Sequence, residues 1–118
     1  MSDAAASIAN KNANVLDVRE GDLTGARTLR IEGGRIAEIA HTDVGSADST
    51  IDLDGKILMP GLCDAHVHVV AATANFIELT EWSPMYVSAR AGQILSGMLS
   101  RGFTTVRDCG GADFGLVQ

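Results

Sequence analysis

The sequence changes its pattern at Pro60-Gly61, and that change limits the folds open to the chain. Before it, apolar residues alternate in short runs separated by glycine-bearing turns, the mark of strands with one buried face. Asn14 to Val18 reads as one strand. Thr28 to Glu32 and Arg35 to Ala40 flank Gly33-Gly34 and read as a hairpin, because a two-residue primed turn needs positive φ at both positions. Leu29 and Ile31 share one face, which Ile36 must meet. A polar loop, Thr42 to Ser49, follows. Thr50 to Leu53 and Lys56 to Met59 flank Asp54-Gly55 and read as a second hairpin. Residues 1–60 therefore predict a small antiparallel β unit.

Beyond the break the periods differ. Leu62 to Val70 is an almost unbroken apolar strand, interrupted by Asp64, His66 and His68. Such a background predicts a strand covered on both faces, with Cys63, Ala65, Val67 and Val69 toward one covering layer. Ser83-Pro84 is a helix start, with serine as N-cap and proline at the first helical position. Val87, Ala91, Ile94, Leu95, Met98 and Leu99 then recur at helical spacing and form an apolar stripe. Gly102 stands where a glycine C-cap belongs, after Arg101. Thr104, Thr105 and Val106 open a second strand that runs into Arg107 and Asp108 and stops at Gly110-Gly111. Residues 61–118 thus predict strand, long loop, helix, strand: a βαβ unit with two parallel strands. The fold class is α/β, with β/α alternation only begun. A closed (β/α) barrel takes eight such strands and about 250 residues.

Composition narrows the function. The chain has 118 residues, 46% of them hydrophobic, and a net charge of -6. That excess of acid disfavours nucleic acid and anionic membranes, both of which need a basic face. The first residues are small and polar and lack the basic start and apolar core of a signal peptide, so residues 1–13 are expected to be flexible. No apolar run approaches the roughly 20 residues of a membrane helix. With no export signal, Cys63 and Cys109 are expected to be reduced packing residues rather than a disulfide, and the cytoplasm is the expected location.

The chemistry concentrates in Met59-Pro-Gly-Leu-Cys-Asp-Ala-His-Val-His-Val69. Residues two apart on a strand share a face, so His66 and His68 project together, with Asp64 one step behind. Two neutral imidazoles aimed at one point suit a transition metal, although a catalytic zinc takes three protein ligands and a water. The competing reading is a buried polar pair within a strand. For Asp64 two readings stand side by side: an acceptor orienting a metal-bound imidazole, or a hydrogen-bond partner of the strand backbone. Arg107 and Asp108 are expected to pair with each other or with neighbours, or to contact substrate; Trp82 and Tyr86 are expected to anchor the loop before the helix, with lining of a pocket mouth as the alternative.

The segment Ile51-Asp-Leu-Asp-Gly-Lys-Ile-Leu-Met-Pro-Gly-Leu-Cys-Asp-Ala-His-Val-His68 resembles the signature of the amidohydrolase superfamily, Pro-Gly-Leu/Phe-x-Asp-x-His-x-His with its lead-in strand. Gly33-Gly34-Arg35-Ile36 resembles the small β-sandwich that accompanies these enzymes, and Thr104-Thr-Val-Arg-Asp-Cys-Gly-Gly111 resembles the end of their second barrel strand. The helix and that segment are most similar to the prolidase-like, Xaa-Pro dipeptidase-related branch. The resemblance implies a β-sandwich portion in residues 1–60. It implies the first βαβ unit of a (β/α)8 TIM-type barrel in residues 61–118. It also implies a hydrolase of C–N bonds using metal-activated water, with His66 and His68 as metal ligands and Asp64 behind them. The implied cofactor is a divalent metal, zinc, as one or two ions. The implied substrate is a small-molecule amide or dipeptide, with a deaminase or a cyclic-amide hydrolase of the same superfamily as the alternative.

The family's remaining ligands come from later strands, and none matches a residue here; His41 lies in the early β unit. No residue of the chain is therefore assigned a catalytic role. The expectation is an N-terminal fragment, inactive alone and completed by further chain, by a homo-oligomer or by a complementing polypeptide. A non-catalytic remnant or interaction fragment is the other reading.

Overall fold

The structure, a computed structural model, describes residues 6–118. The chain divides into two compact units, the first ending at Pro60 and the second beginning at Gly61.

The first unit is a sheet of five strands: β1 (Ser7–Leu16), β2 (Leu23–Glu32), β3 (Arg35–Ala40), β4 (Ser49–Asp52) and β5 (Ile57–Leu58). Their order is β3-β2-β1-β4, with β5 also on β1. The β2–β3 hairpin turns at Gly33 and Gly34, with φ of 56° and 72°, as a primed turn requires. Its register sets Leu29 opposite Ile39 and Ile31 opposite Ile36. Ala9, Ala13, Leu29 and Val44 form the buried centre, while Ile36 and Ile39 stay exposed.

Two expectations are corrected here. Residues 1–5 of the segment expected to be flexible lie outside the described residues, but residues 7–13 belong to β1. Small side chains hold that strand in: Ala9 and Ala13 are fully buried. Asp48 anchors its start, accepting from Ser7 N at 2.7 Å and from Ser7 Oγ at 2.8 Å. The Asp54-Gly55 pair, for its part, makes no hairpin. β4 and β5 both run parallel to β1, so the sheet is mixed rather than antiparallel. Between them β1 carries a bulge at Asn12, whose φ is 54°. Asn12 O accepts from Gly55 N at 2.8 Å, Lys11 O from Leu53 N at 2.9 Å, and Lys56 O from Asn14 N at 2.9 Å. Asp54 and Gly55 take positive φ, 49° and 76°, to carry the chain around that bulge without reversing it.

The second unit contains β6 (Leu62–Val67), α1 (Phe76–Glu81), α2 (Pro84–Ser100) and β7 (Phe103–Asp108). β6 and β7 pair in parallel, the βαβ arrangement expected. Gly61, just before β6, lies against β7: a methyl group there would overlap the Thr104 side chain. α1 falls in what reads as loop, because six residues are too few to show a helical period. Asn75 caps it, its side chain accepting from Glu78 N at 3.3 Å. Ser83 is the N-cap of α2 by backbone conformation, with Pro84 behind it, but its hydroxyl makes no capping bond. Trp82 and Tyr86 meet edge to face at 4.9 Å between ring centroids. Gly102, with φ of 93°, follows the C-cap Arg101.

Ala91 and Met98 are the buried residues of α2, with Val87, Ile94 and Leu95 half-buried. Leu99, expected in the same stripe, is 64% exposed, because it lies a full helical step from the line joining Ala91 and Met98. β6 is not covered on both faces either: Cys63 and Ala65 are exposed, Val67 is half-buried and Val69 is buried. Among the described residues its one strand neighbour is β7, and α2 packs against β7. Both cysteines are free thiols. No described helix is long and apolar enough to cross a membrane.

Candidate metal centre

β6 ends at Val67, and the chain turns at once, with Ala71 N donating to His68 O at 3.1 Å. His66 is thus the last residue of its face within the strand, and His68 the first beyond it. Strand alternation survives this ending and the two rings converge. Their centroids are 5.2 Å apart at an interplanar angle of 68°, and the two Nε2 atoms approach to 3.2 Å.

The other nitrogen of His68 settles its tautomer. Nδ1 lies 2.9 Å from Gly110 O. A carbonyl can only accept, so Nδ1 carries the proton and Nε2 presents a lone pair. His66 Nε2 either donates to that lone pair or presents a second one beside it to a shared cation. Two nitrogens bound to one tetrahedral zinc at about 2.0–2.1 Å stand roughly 3.3–3.4 Å apart. The observed 3.2 Å separation fits that bite, and both rings are exposed to an incoming ion. The pair therefore fits two positions of a zinc-type site. Among the described residues no third His, Cys, Asp or Glu joins them in a cluster. His41 is an exposed residue of the first unit.

Asp64 is drawn to the backbone instead of to a ring: its Oδ1 accepts from His66 N at 3.0 Å. The acceptor on an imidazole nitrogen is Gly110 O, from the glycine pair that ends the second strand. Backbone carbonyls carry no side-chain signature, and Gly110-Gly111 was the sole pointer available.

Asp108 does not pair with Arg107. Its Oδ2 accepts from Val69 N at 2.8 Å, and its Oδ1 from Gly110 N at 2.8 Å. The Val69 N–H, then those of Gly110 and Ala112, hold its carboxyl below the ordinary aspartate value against an opposing effect of burial. Cys109 N donates to Val67 O at 2.9 Å. The loops after β6 and β7 are thus tied together beside the imidazole pair. With the start of α2 they border an open hollow of about 340 Å³, lined by Val70, Trp82, Val87, Ser88, Gly111 and Asp113 among others.

Known proteins share the sequence pattern and the fold of this chain. Residues 49–109, just over half of the chain, match the model of the amidohydrolase family. A prolidase complexed with N-methylphosphonate-L-proline superposes with a TM-score of 0.88 at 40% identity, over 94% of this chain and 28% of that one. A Xaa-Pro dipeptidase with bound methionine in the active site gives a TM-score of 0.74 at 25% identity, over 90% of this chain and 27% of that one. The 5'-deoxyadenosine deaminase of Methanosarcina acetivorans is 36% identical over 95 residues, 75% of this chain and 22% of the deaminase. The chain thus spans about a quarter of the length of the relatives it matches. The incomplete (β/α)-barrel architecture expected from the sequence stands, with prolidase and Xaa-Pro dipeptidase-like proteins as structural neighbours. On the family match and the shared fold together, this chain belongs to the amidohydrolase family.

Proposed function

We propose that the chain supplies the His66/His68 arm of a metal centre in a hydrolase that cleaves C–N bonds of small amides of the dipeptide class. The observation that carries this reading is the convergence of the two Nε2 atoms at 3.2 Å, with His68 Nδ1 facing Gly110 O at 2.9 Å. A divalent metal, zinc by the nitrogen donors, supplies Lewis acidity and a water acidic enough to be hydroxide near neutral pH. His66 and His68 hold it, Gly110 O orients the His68 ring, and Asp64 steadies the His66 backbone. Two nitrogen donors fall short of the three that a catalytic zinc takes. The remaining donors come from the chain that completes the barrel, covalently or as a partner, and the 118 residues alone turn over no substrate.

Identity to the prolidase over nearly the whole chain favours a dipeptide-type amide. A deaminase is the second reading, favoured by the 36% identity to 5'-deoxyadenosine deaminase; both reactions direct activated water at a carbon bearing nitrogen.

Zinc titration by calorimetry, with metal content by elemental analysis, tests the centre. Zinc binding that is lost in His66→Ala and in His68→Ala is the expected result. Binding unchanged in both variants removes the basis of the proposal. Release of proline from a Xaa-Pro dipeptide by the purified, zinc-loaded chain would contradict the shared ligand set.

A further inference from the structure

We infer that Asp108 is the positioning residue of this centre, acting on His68 through the Gly110 peptide. The inference rests on the metal reading only where it concerns affinity; the geometry stands without it. Asp108 is the last residue of β7, and its two oxygens serve two different loops. Oδ2 accepts from Val69 N, the amide that immediately follows His68, at 2.8 Å. Oδ1 accepts from Gly110 N at 2.8 Å, and the carbonyl of that same residue receives the His68 Nδ1 proton at 2.9 Å. One carboxylate therefore fixes both the backbone that carries the imidazole and the residue that holds the ring.

Beyond the Cys109 N–H bond to Val67 O, the local sequence gives that loop little stiffness. Gly110 and Gly111 have φ of 155° and 102°, in the region that favours glycine, and glycine is the least restrained residue. A Cβ on Gly110 would stand 3.8 Å from His68 Cε1, so the backbone already lies close against the ring. A carboxylate that accepts two backbone N–H groups is a strong, charge-assisted clamp, and it supplies the restraint that two successive glycines remove. Without it the Gly110 carbonyl is free to swing away. A free imidazole favours its proton on Nε2, the nitrogen that faces His66. The clamp thus keeps the metal-facing nitrogen bare.

The test is long-range 15N–1H correlation of the histidine rings in the 118-residue chain at about pH 8, where imidazoles are neutral. Asp108→Ala, Asp108→Asn and, as a distant carboxylate control, Asp48→Ala accompany the wild type. The expected result is His68 with its proton on Nδ1 in the wild type and in Asp48→Ala, a shift toward Nε2–H in Asp108→Ala, and a smaller shift in Asp108→Asn. Zinc affinity should fall about 10- to 100-fold in Asp108→Ala, as for loss of an outer-shell partner, with partial recovery in Asp108→Asn. A wild-type His68 protonated on Nε2 overturns the inference even if the alanine variant fails to fold. So does an unchanged His68 tautomer in a folded Asp108→Ala chain. If no form of the chain binds zinc, the metal reading falls and the ring tautomer still decides the positioning role.

Discussion

His68 Nδ1 faces Gly110 O at 2.9 Å, so the ring of one loop is held by the backbone of the next, 42 residues away in sequence. That contact leaves the opposite nitrogen of His68 directed at His66. Zinc should therefore bind the folded chain in preference to the unfolded one. A ligand that binds only the folded state adds about 2.7 kcal/mol at a hundredfold excess over its Kd. Thermal unfolding followed by circular dichroism should show a higher Tm with zinc and reversal by a chelator. His66→Ala and His68→Ala should abolish the shift, and a zinc-dependent rise that survives both substitutions would place the metal elsewhere.

Gly61 should tolerate no side chain. A methyl group at that position collides with Thr104 across the β6–β7 pair, and overpacking of this kind costs roughly 1–3 kcal/mol. Gly61→Ala is expected to lower the denaturant midpoint and to loosen the His66/His68 pair at the far end of the adjoining strand β6. A midpoint equal to that of the wild type would mean that the strands separate without cost.

Acid should weaken both units. Asp48 is held below its ordinary pKa chiefly by the Ser7 backbone N–H, then by the Ser7 hydroxyl. Asp52 is held down by the Asn12 side chain, then by the Asp54 N–H, and Asp108 chiefly by the Val69 N–H. A carboxylate whose folded pKa is depressed contributes stability that is present above the unfolded pKa and is lost as pH falls through the folded one. Stability should therefore be level above about pH 5 and decline below about pH 4, the ordinary carboxylate range. Asp48→Asn should flatten that decline, as read from urea midpoints across the range. An identical slope in the variant would remove Asp48 from the account.

Two neighbours on α2 should behave oppositely. Met98 is buried and Leu99 is 64% exposed. Met98→Ala should cost about 2 kcal/mol or more, as truncation of a packed core side chain does. Leu99→Gln should fall within about 0.5 kcal/mol of the wild type, as exposed substitutions do. Equal losses would mean that the helix presents a different face to β7.

Much of the fold was legible because it follows from local rules. The Gly33-Gly34 hairpin, the proline-led start of α2 and its glycine end, and the parallel β6–β7 pair all follow from turn chemistry and periodicity. The Asp54-Gly55 turn did not follow: its residues demand positive φ, but whether the chain then reverses depends on its neighbour. Here that neighbour is the Asn12 bulge of β1. The early start of β1 was hidden for a related reason, since Ala9 and Ala13 give little hydrophobic signal and become core only under their neighbours.

The same division holds at the centre. The sequence by itself determined that His66 and His68 share a face, because two-residue alternation is a property of any strand. Only the tertiary structure decided which atoms serve them. It drew the Asp64 carboxylate to the His66 backbone, brought Gly110 O to the His68 ring, and set Asp108 across both loops. Gly110 O and the Val69 and Gly110 amides are backbone groups brought together by the parallel pairing of β6 and β7. A backbone amide or carbonyl is the same in every residue that bears it, so its part in a site appears only once the chain has folded.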